Sequence, residues 1–90
     1  MPHPLTPEQL DALRALPLAG MPNKLDVALA LAKAKQSDIV KAYEDTLDAS
    51  SVHRVVNGKY STLDVDLARK FAEFFGCQIE DLFPSREAVA

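Results

Sequence analysis

The stretch Asp48-Ala49-Ser50-Ser51-Val52-His53-Arg54-Val55-Val56-Asn57-Gly58-Lys59 decides how the chain folds. Asp48 suits a helix N-cap, because its carboxylate can accept from the free N–H groups of a first turn. Val52, Val55 and Val56 recur at helical spacing and share one face. Ser50, Ser51, His53 and Arg54 fall on the other. Asn57 and Gly58 tolerate the left-handed conformation in which many helices end. The spacing predicts a short helix over 48–57 with one apolar and one polar face.

The segments around it read the same way. Ser37 is an N-cap candidate for a short helix with Ile39, Val40 and Tyr43 apolar, and Glu44-Asp45-Thr46 interrupts the pattern as a turn. Asn23 reads as the N-cap of a helix from Lys24 to Lys35, with Leu25, Ala28, Leu29 and Ala32 on one face. Thr6-Pro7-Glu8-Gln9 is a capping box with proline at the first helical position. It opens a helix over 6–16 that carries Leu10, Leu13 and Leu16 on one face and stops at Pro17. Downstream, Asp64 caps a helix over 65–75 with Val65, Ala68, Phe71, Ala72 and Phe75 as its stripe, and Gly76 stops it. Residues 79–83 make a last turn before Pro84, and residues 85–90 carry no pattern and are expected to fray. Six helical segments and no strand signal predict an all-α fold.

Composition bounds the class. Ninety residues make one small domain. Apolar residues at 48% and charged residues at 26% are globular, not disordered, values. No apolar run approaches the ~20 residues of a membrane span. Met1-Pro2-His3-Pro4 lacks the basic region and apolar core of a signal peptide. Cys77 is the only cysteine, which excludes an internal disulfide and predicts a reducing, cytoplasmic compartment. His3 and His53 lie far apart, and no metal-ligand spacing occurs. The net charge of −3 runs against the basic footprint of a nucleic-acid binder. It is unevenly spread, though. Residues 24–63 hold six basic against five acidic side chains, whereas residues 64–90 hold three against six. A polyanion should meet the middle of the chain.

Two short helices across a tight turn, the second with a polar face of small and hydrogen-bonding side chains, are the organisation of a helix-turn-helix. Gln36-Ser37, the apolar pair Ile39-Val40 and the run from Asp48 to Lys59 resemble the lambda-repressor-like (Cro-like, Xre) helix-turn-helix family. Leu67 to Phe83, an alanine-containing helix ending at Gly76 followed by Asp81-Leu82-Phe83, is similar to the family's fourth and fifth helices. The resemblance covers residues 23–83 and implies an orthogonal bundle of about five helices. The helix-turn-helix itself falls at 37–58. Residues 1–22 then form an N-terminal extension with an extra helix, and residues 84–90 a tail. The turn Glu44-Asp45-Thr46-Leu47 departs from the family pattern, being longer and without its glycine.

The resemblance implies roles by position. Gln36 and Ser37 would contact phosphate through side chains and backbone N–H groups, and Asn57, Lys59, Tyr60 and Ser61 would lie on the DNA backbone. Ala49, Ser50, Ser51, His53 and Arg54 would face base edges, with Ala49 limited to a methyl contact and Arg54 suited to guanine. Arg54 also reads as a surface partner for Asp48, and Asn57-Gly58 as a helix end alone. Phe74, Phe83 and Pro84 are candidates for a dimer contact, with Phe74 equally a core candidate. The expected function is a sequence-specific DNA-binding transcriptional regulator, a small repressor acting on double-stranded DNA as a homodimer on an inverted repeat. The alternative is an antitoxin-like or adaptor protein that binds another protein. No nucleophile–base pair, phosphate-cradling loop or metal set points to an enzyme, a cofactor or a small-molecule ligand.

Overall fold

Helix starts in this chain are set by side chains that reach back to the first turn. In the computed structural model, which describes residues 3–18, 20–60 and 63–84, the described residues form six helices. These are α1 (Pro7–Ala15), α2 (Leu25–Ala32), α3 (Gln36–Ala42), α4 (Ala49–Val56), α5 (Val65–Phe75) and α6 (Ile79–Leu82). The all-α expectation holds. The Thr6 hydroxyl accepts from the Gln9 N–H at 3.2 Å while the Gln9 side chain accepts from the Thr6 N–H at 2.9 Å, so the predicted capping box closes. Asp48 and Asp64 cap α4 and α5 as expected.

Three boundaries differ from the sequence reading. Lys24, not Asn23, occupies the N-cap position of α2, and the Asn23 Oδ1 instead accepts from the Leu25 N–H at 3.0 Å. That helix ends at Ala32 because Lys33 turns left-handed, with φ 54°. Lys35, not Ser37, is the N-cap residue of α3, and Asp38 reaches back to accept from the Lys35 N–H at 2.8 Å. That bond holds the Asp38 carboxyl below the usual carboxylate range. Ser37 lies inside the first turn.

The core is drawn from every helix. Leu13, Leu25, Ile39, Val52, Phe71, Phe74, Phe75 and Leu82 are fully buried. Phe71 meets Phe83 edge-on with ring centroids 6.4 Å apart, and Phe74 meets Phe75 edge-on at 5.0 Å. Both Phe74 and Phe83 are therefore core residues, and the dimer-contact expectation for them is corrected: their rings face their own domain. Pro84 alone of the three is exposed. Leu16 leaves the expected α1 stripe and is 41% exposed, beyond the helix end at Ala15. No helix among the described residues is long and apolar enough to cross a membrane.

The N-terminal segment packs on the same core. Leu5 and Leu13 are buried in it. The His3 and Leu5 N–H groups donate to the Phe74 and Phe75 carbonyls at 3.0 and 2.8 Å, which satisfies acceptors that a helix C-terminus leaves open. Lys24, itself buried, donates from Nζ to the Leu13 carbonyl at 2.8 Å and from its N–H to the Leu82 carbonyl at 2.9 Å. Arg14 grips Asp81 in a two-pronged pair, Nε to Oδ1 at 2.8 Å and a second nitrogen to Oδ2 at 3.2 Å. Asp81 also accepts from the Gln78 N–H at 3.0 Å, capping α6.

The Arg14 guanidinium holds the Asp81 carboxyl below the usual carboxylate range. The stability it contributes is therefore present above the unfolded-state value of about 4 and is lost as pH falls through the lower folded-state value. Asp81→Asn should lower unfolding stability by about 1–2 kcal/mol at neutral pH. Urea denaturation should show that gap closing below pH 4. Gly58 has φ +71° and a Cβ there would overlap Pro22, whereas Gly20 has φ +83° with open space around it. Gly58→Ala should cost more than the ~1–2 kcal/mol of left-handed strain that Gly20→Ala incurs, read as the difference between their thermal midpoints.

Candidate nucleic-acid interface

The polar face of α4 is a direct consequence of its period. At about 100° per residue, Ala49, His53, Asn57, Ser50 and Arg54 follow one another across an arc of roughly 140°. All five are exposed. Val52, Val55 and Val56 lie outside that arc and are buried in the core. Ser51 is half-buried at the edge of the arc. The Asp48 Oδ1 accepts from the Ser51 N–H at 2.7 Å, fixing the first turn. That bond lowers the Asp48 pKa, so the cap strengthens as pH rises past the carboxylate range and fails below it.

Each flank of the arc borders a cleft. On one side a cleft of about 230 Å³ is lined by Gln36, Ser37, Val40 and Lys41 of α3 and by Ala49. The structure thus brings the predicted phosphate-contact pair beside the first predicted base-contact residue. On the other side a cleft of about 280 Å³ is lined by Ser51, Arg54, Val55, Tyr60, Leu63, Asp64 and Leu67. Arg54 and Tyr60 therefore share one flank, and Gln36 and Ser37 the other. Lys59 is exposed next to Tyr60. Ser61 lies outside the described residues.

The far end of α4 is held tightly. The Gly58 N–H donates to the Val55 carbonyl at 3.0 Å and the Lys59 N–H to the Arg54 carbonyl at 2.9 Å, the paired bonds of a glycine-ended helix. The Asn57 amide donates to the His53 carbonyl at 2.8 Å and lies 3.1 Å from the His53 Nε2. Its N–H₂ is thus turned back onto its own helix, while the residue itself stays exposed. Tyr60 is half-buried, and its hydroxyl accepts from the Asn23 Nδ2 at 3.2 Å. The phenol is part of the scaffold beneath α4 as well as a neighbour of Arg54.

The turn between the helices needs no glycine. The Thr46 and Leu47 N–H groups both donate to the Tyr43 carbonyl, at 2.9 and 2.8 Å, and Leu47 is buried as an anchor. Glu44 and Asp45 point the turn's charge into solvent. The ion pairs among the described residues are Arg14–Asp81 and Arg69–Asp66. Arg54 is in neither, so the alternative pairing with Asp48 is not formed. Among the described residues no group of three or more His, Cys, Asp or Glu side chains gathers as a metal site.

One residue of this surface and one beneath it escaped the sequence reading. Lys41 is exposed on the α3 cleft; its position four residues after Ser37, hence on the same helix face, was the available signal. Asn23 is buried and donates from Nδ2 to the Val55 carbonyl at 2.8 Å as well as to Tyr60. No local pattern announces a bond spanning that distance in sequence. Cys77 is half-buried, and burial pushes its thiol up to about 12, which leaves it protonated and unreactive at neutral pH.

Residues 24–84 match the family model of the Cro/C1-type HTH DNA-binding domain. No curated protein and no solved structure matched the chain. The matched span takes in α2 to α6 and leaves α1 outside.

Asn23→Ala removes a cap on the Leu25 N–H and a partner of the Val55 carbonyl, both in the interior. It should cost about 2–3 kcal/mol in chemical denaturation and speed hydrogen exchange at the C-terminal end of α4.

Proposed function

We infer, from a chain that belongs to the Cro/C1-type helix-turn-helix DNA-binding family, that it is a sequence-specific regulator of the repressor kind, bound as a dimer to an inverted repeat. The observation that carries this reading is the arc of α4: five exposed small or hydrogen-bonding side chains backed by three buried valines. A helix of eight residues is about 12 Å long and fits the major groove. Ala49, Ser50 and His53 then meet base edges, and Arg54 reaches a guanine from the edge of the arc. Gln36, Ser37 and Lys41 on one flank and Lys59 on the other lie along the phosphates.

So short a helix makes few base contacts, each discriminating by about 1–3 kcal/mol. Two half-sites about 34 Å apart double that discrimination. The net charge of −3 supports a second reading, an antitoxin-like or adaptor protein whose partner is another protein.

Selection from a random duplex library at low and near-physiological salt separates the two: an enriched inverted repeat supports the regulator, and no enrichment at either salt supports the protein partner. On the enriched site, Arg54→Ala should reduce preference over random DNA by about 1–3 kcal/mol. Lys59→Ala should weaken specific and random binding alike and flatten the salt slope by about one. Equal, uniform losses from both variants would remove Arg54 from base reading.

A further inference from the structure

We propose that the connector between α1 and α2, residues 15–23, is the surface through which two copies of this chain meet on DNA, in a contact too small to hold them together without it. The proposal rests on the reading of α4 as the groove-entering helix and of the bound site as an inverted repeat. Phe74 and Phe83 are buried in their own domain, so the contact between copies lies elsewhere. Residues 15–23 are the longest stretch of the chain without a charged side chain, bounded by Arg14 and Lys24. Within it Leu16 is 41% exposed, the one large apolar side chain so exposed among the described residues. Pro17 and Pro22 are exposed as well, and Leu18 and Met21 are half-buried. The Met21 N–H donates to the Leu18 carbonyl at 2.9 Å, which closes the run into a turn.

Charge and position name a second copy as the occupant. Close to a two-fold axis a side chain meets its own copy, so any charge there faces a like charge. The exposed side chains of α5 include Asp66, Arg69 and Glu73, and those of α3 include Lys41. The connector carries no charge, and its apolar side chains are complementary to themselves. Pro22 lies against Gly58 so closely that a Cβ there would overlap it, and Asn23 next to it donates to the Val55 carbonyl. The connector is therefore continuous with the C-terminal end of α4. A two-fold axis beside it sets two copies of α4 on one duplex in opposite senses, as an inverted repeat requires. Size decides the strength. Nine residues fall well short of the ~20–30 a side of a standard interface. Free copies at micromolar concentration stay apart, whereas two half-sites on one duplex raise the local concentration to about the millimolar range. Pairing then belongs to the bound state and appears as cooperativity.

The test uses the full chain, the selected inverted repeat and a duplex that keeps one half-site. The second copy should bind the repeat about tenfold more tightly than one copy binds the single half-site, the scale of burying one apolar side chain. Leu16→Asp adds like charges across the axis at an exposed position. It should bring that ratio to about one and leave single-half-site affinity close to unchanged. Leu16→Lys should also abolish cooperativity, and an equal mixture of the two variants should regain it, because unlike charges then face each other. Sedimentation of the free chain at about 10 μM should show a monomer. Cooperativity unchanged in Leu16→Asp, or lost in both variants and not regained in the mixture, overturns the proposal and leaves the DNA-binding reading intact. A several-fold weaker single half-site in Leu16→Asp also overturns it, by placing the connector on the DNA or in the support of α4. A stable free dimer overturns it as well, since so short a run cannot hold one. Failure to enrich an inverted repeat overturns the proposal together with the reading beneath it.

Discussion

Three valines fix how α4 can be presented. Val52, Val55 and Val56 are buried, and burying a valine contributes about 1.5–3 kcal/mol. Rotating α4 about its axis would expose them, so its rotational setting is determined by the core. The polar arc from Ala49 to Arg54 is what remains outside. Its two ends are fixed independently, by Asp48 at the start and by Gly58 with Asn23 at the finish. A base-reading surface needs this rigidity, because hydrogen bonds to base edges tolerate little displacement.

Most of the fold was legible because its signals are local. Capping residues at Thr6, Asp48 and Asp64, the stops at Gly58 and Gly76, and helical spacing of apolar residues lie within a few positions of the structure they specify. What was hidden depends on contacts distant in sequence. Asn23 acts on Val55 and Tyr60, Lys24 on Leu13, and Arg14 on Asp81. The misread starts of α2 and α3 have the same origin at shorter range: a lysine takes the cap position while a neighbouring side chain makes the bond. Phe74 fell off the main α5 stripe by periodicity, yet it is buried because His3 lies against it, ring centroids 5.5 Å apart, and Phe75 packs edge-on.

The candidate site was legible as a face but not in each of its roles. Ala49, Ser50, His53 and Arg54 stand where the period of α4 puts them, exposed. Neither the bond from the Asn57 amide back to the His53 carbonyl nor the one from Asn23 to the Tyr60 hydroxyl was legible in the sequence. Residues 3–18 extend the domain beyond the family span, close the end of α5 and clamp α6 through Arg14. Their contribution is to the support of the bundle on which α4 rests.

The central claim is that the α4 arc and its flanks are the surface that meets DNA. Backbone amide resonances followed during titration with the selected duplex test it residue by residue. The account predicts shifts concentrated at residues 36–41, 49–54 and 57–59, with the amides of α1 and α6 left near their free positions. Shifts centred on α1 or α6, with α4 unchanged, would contradict it.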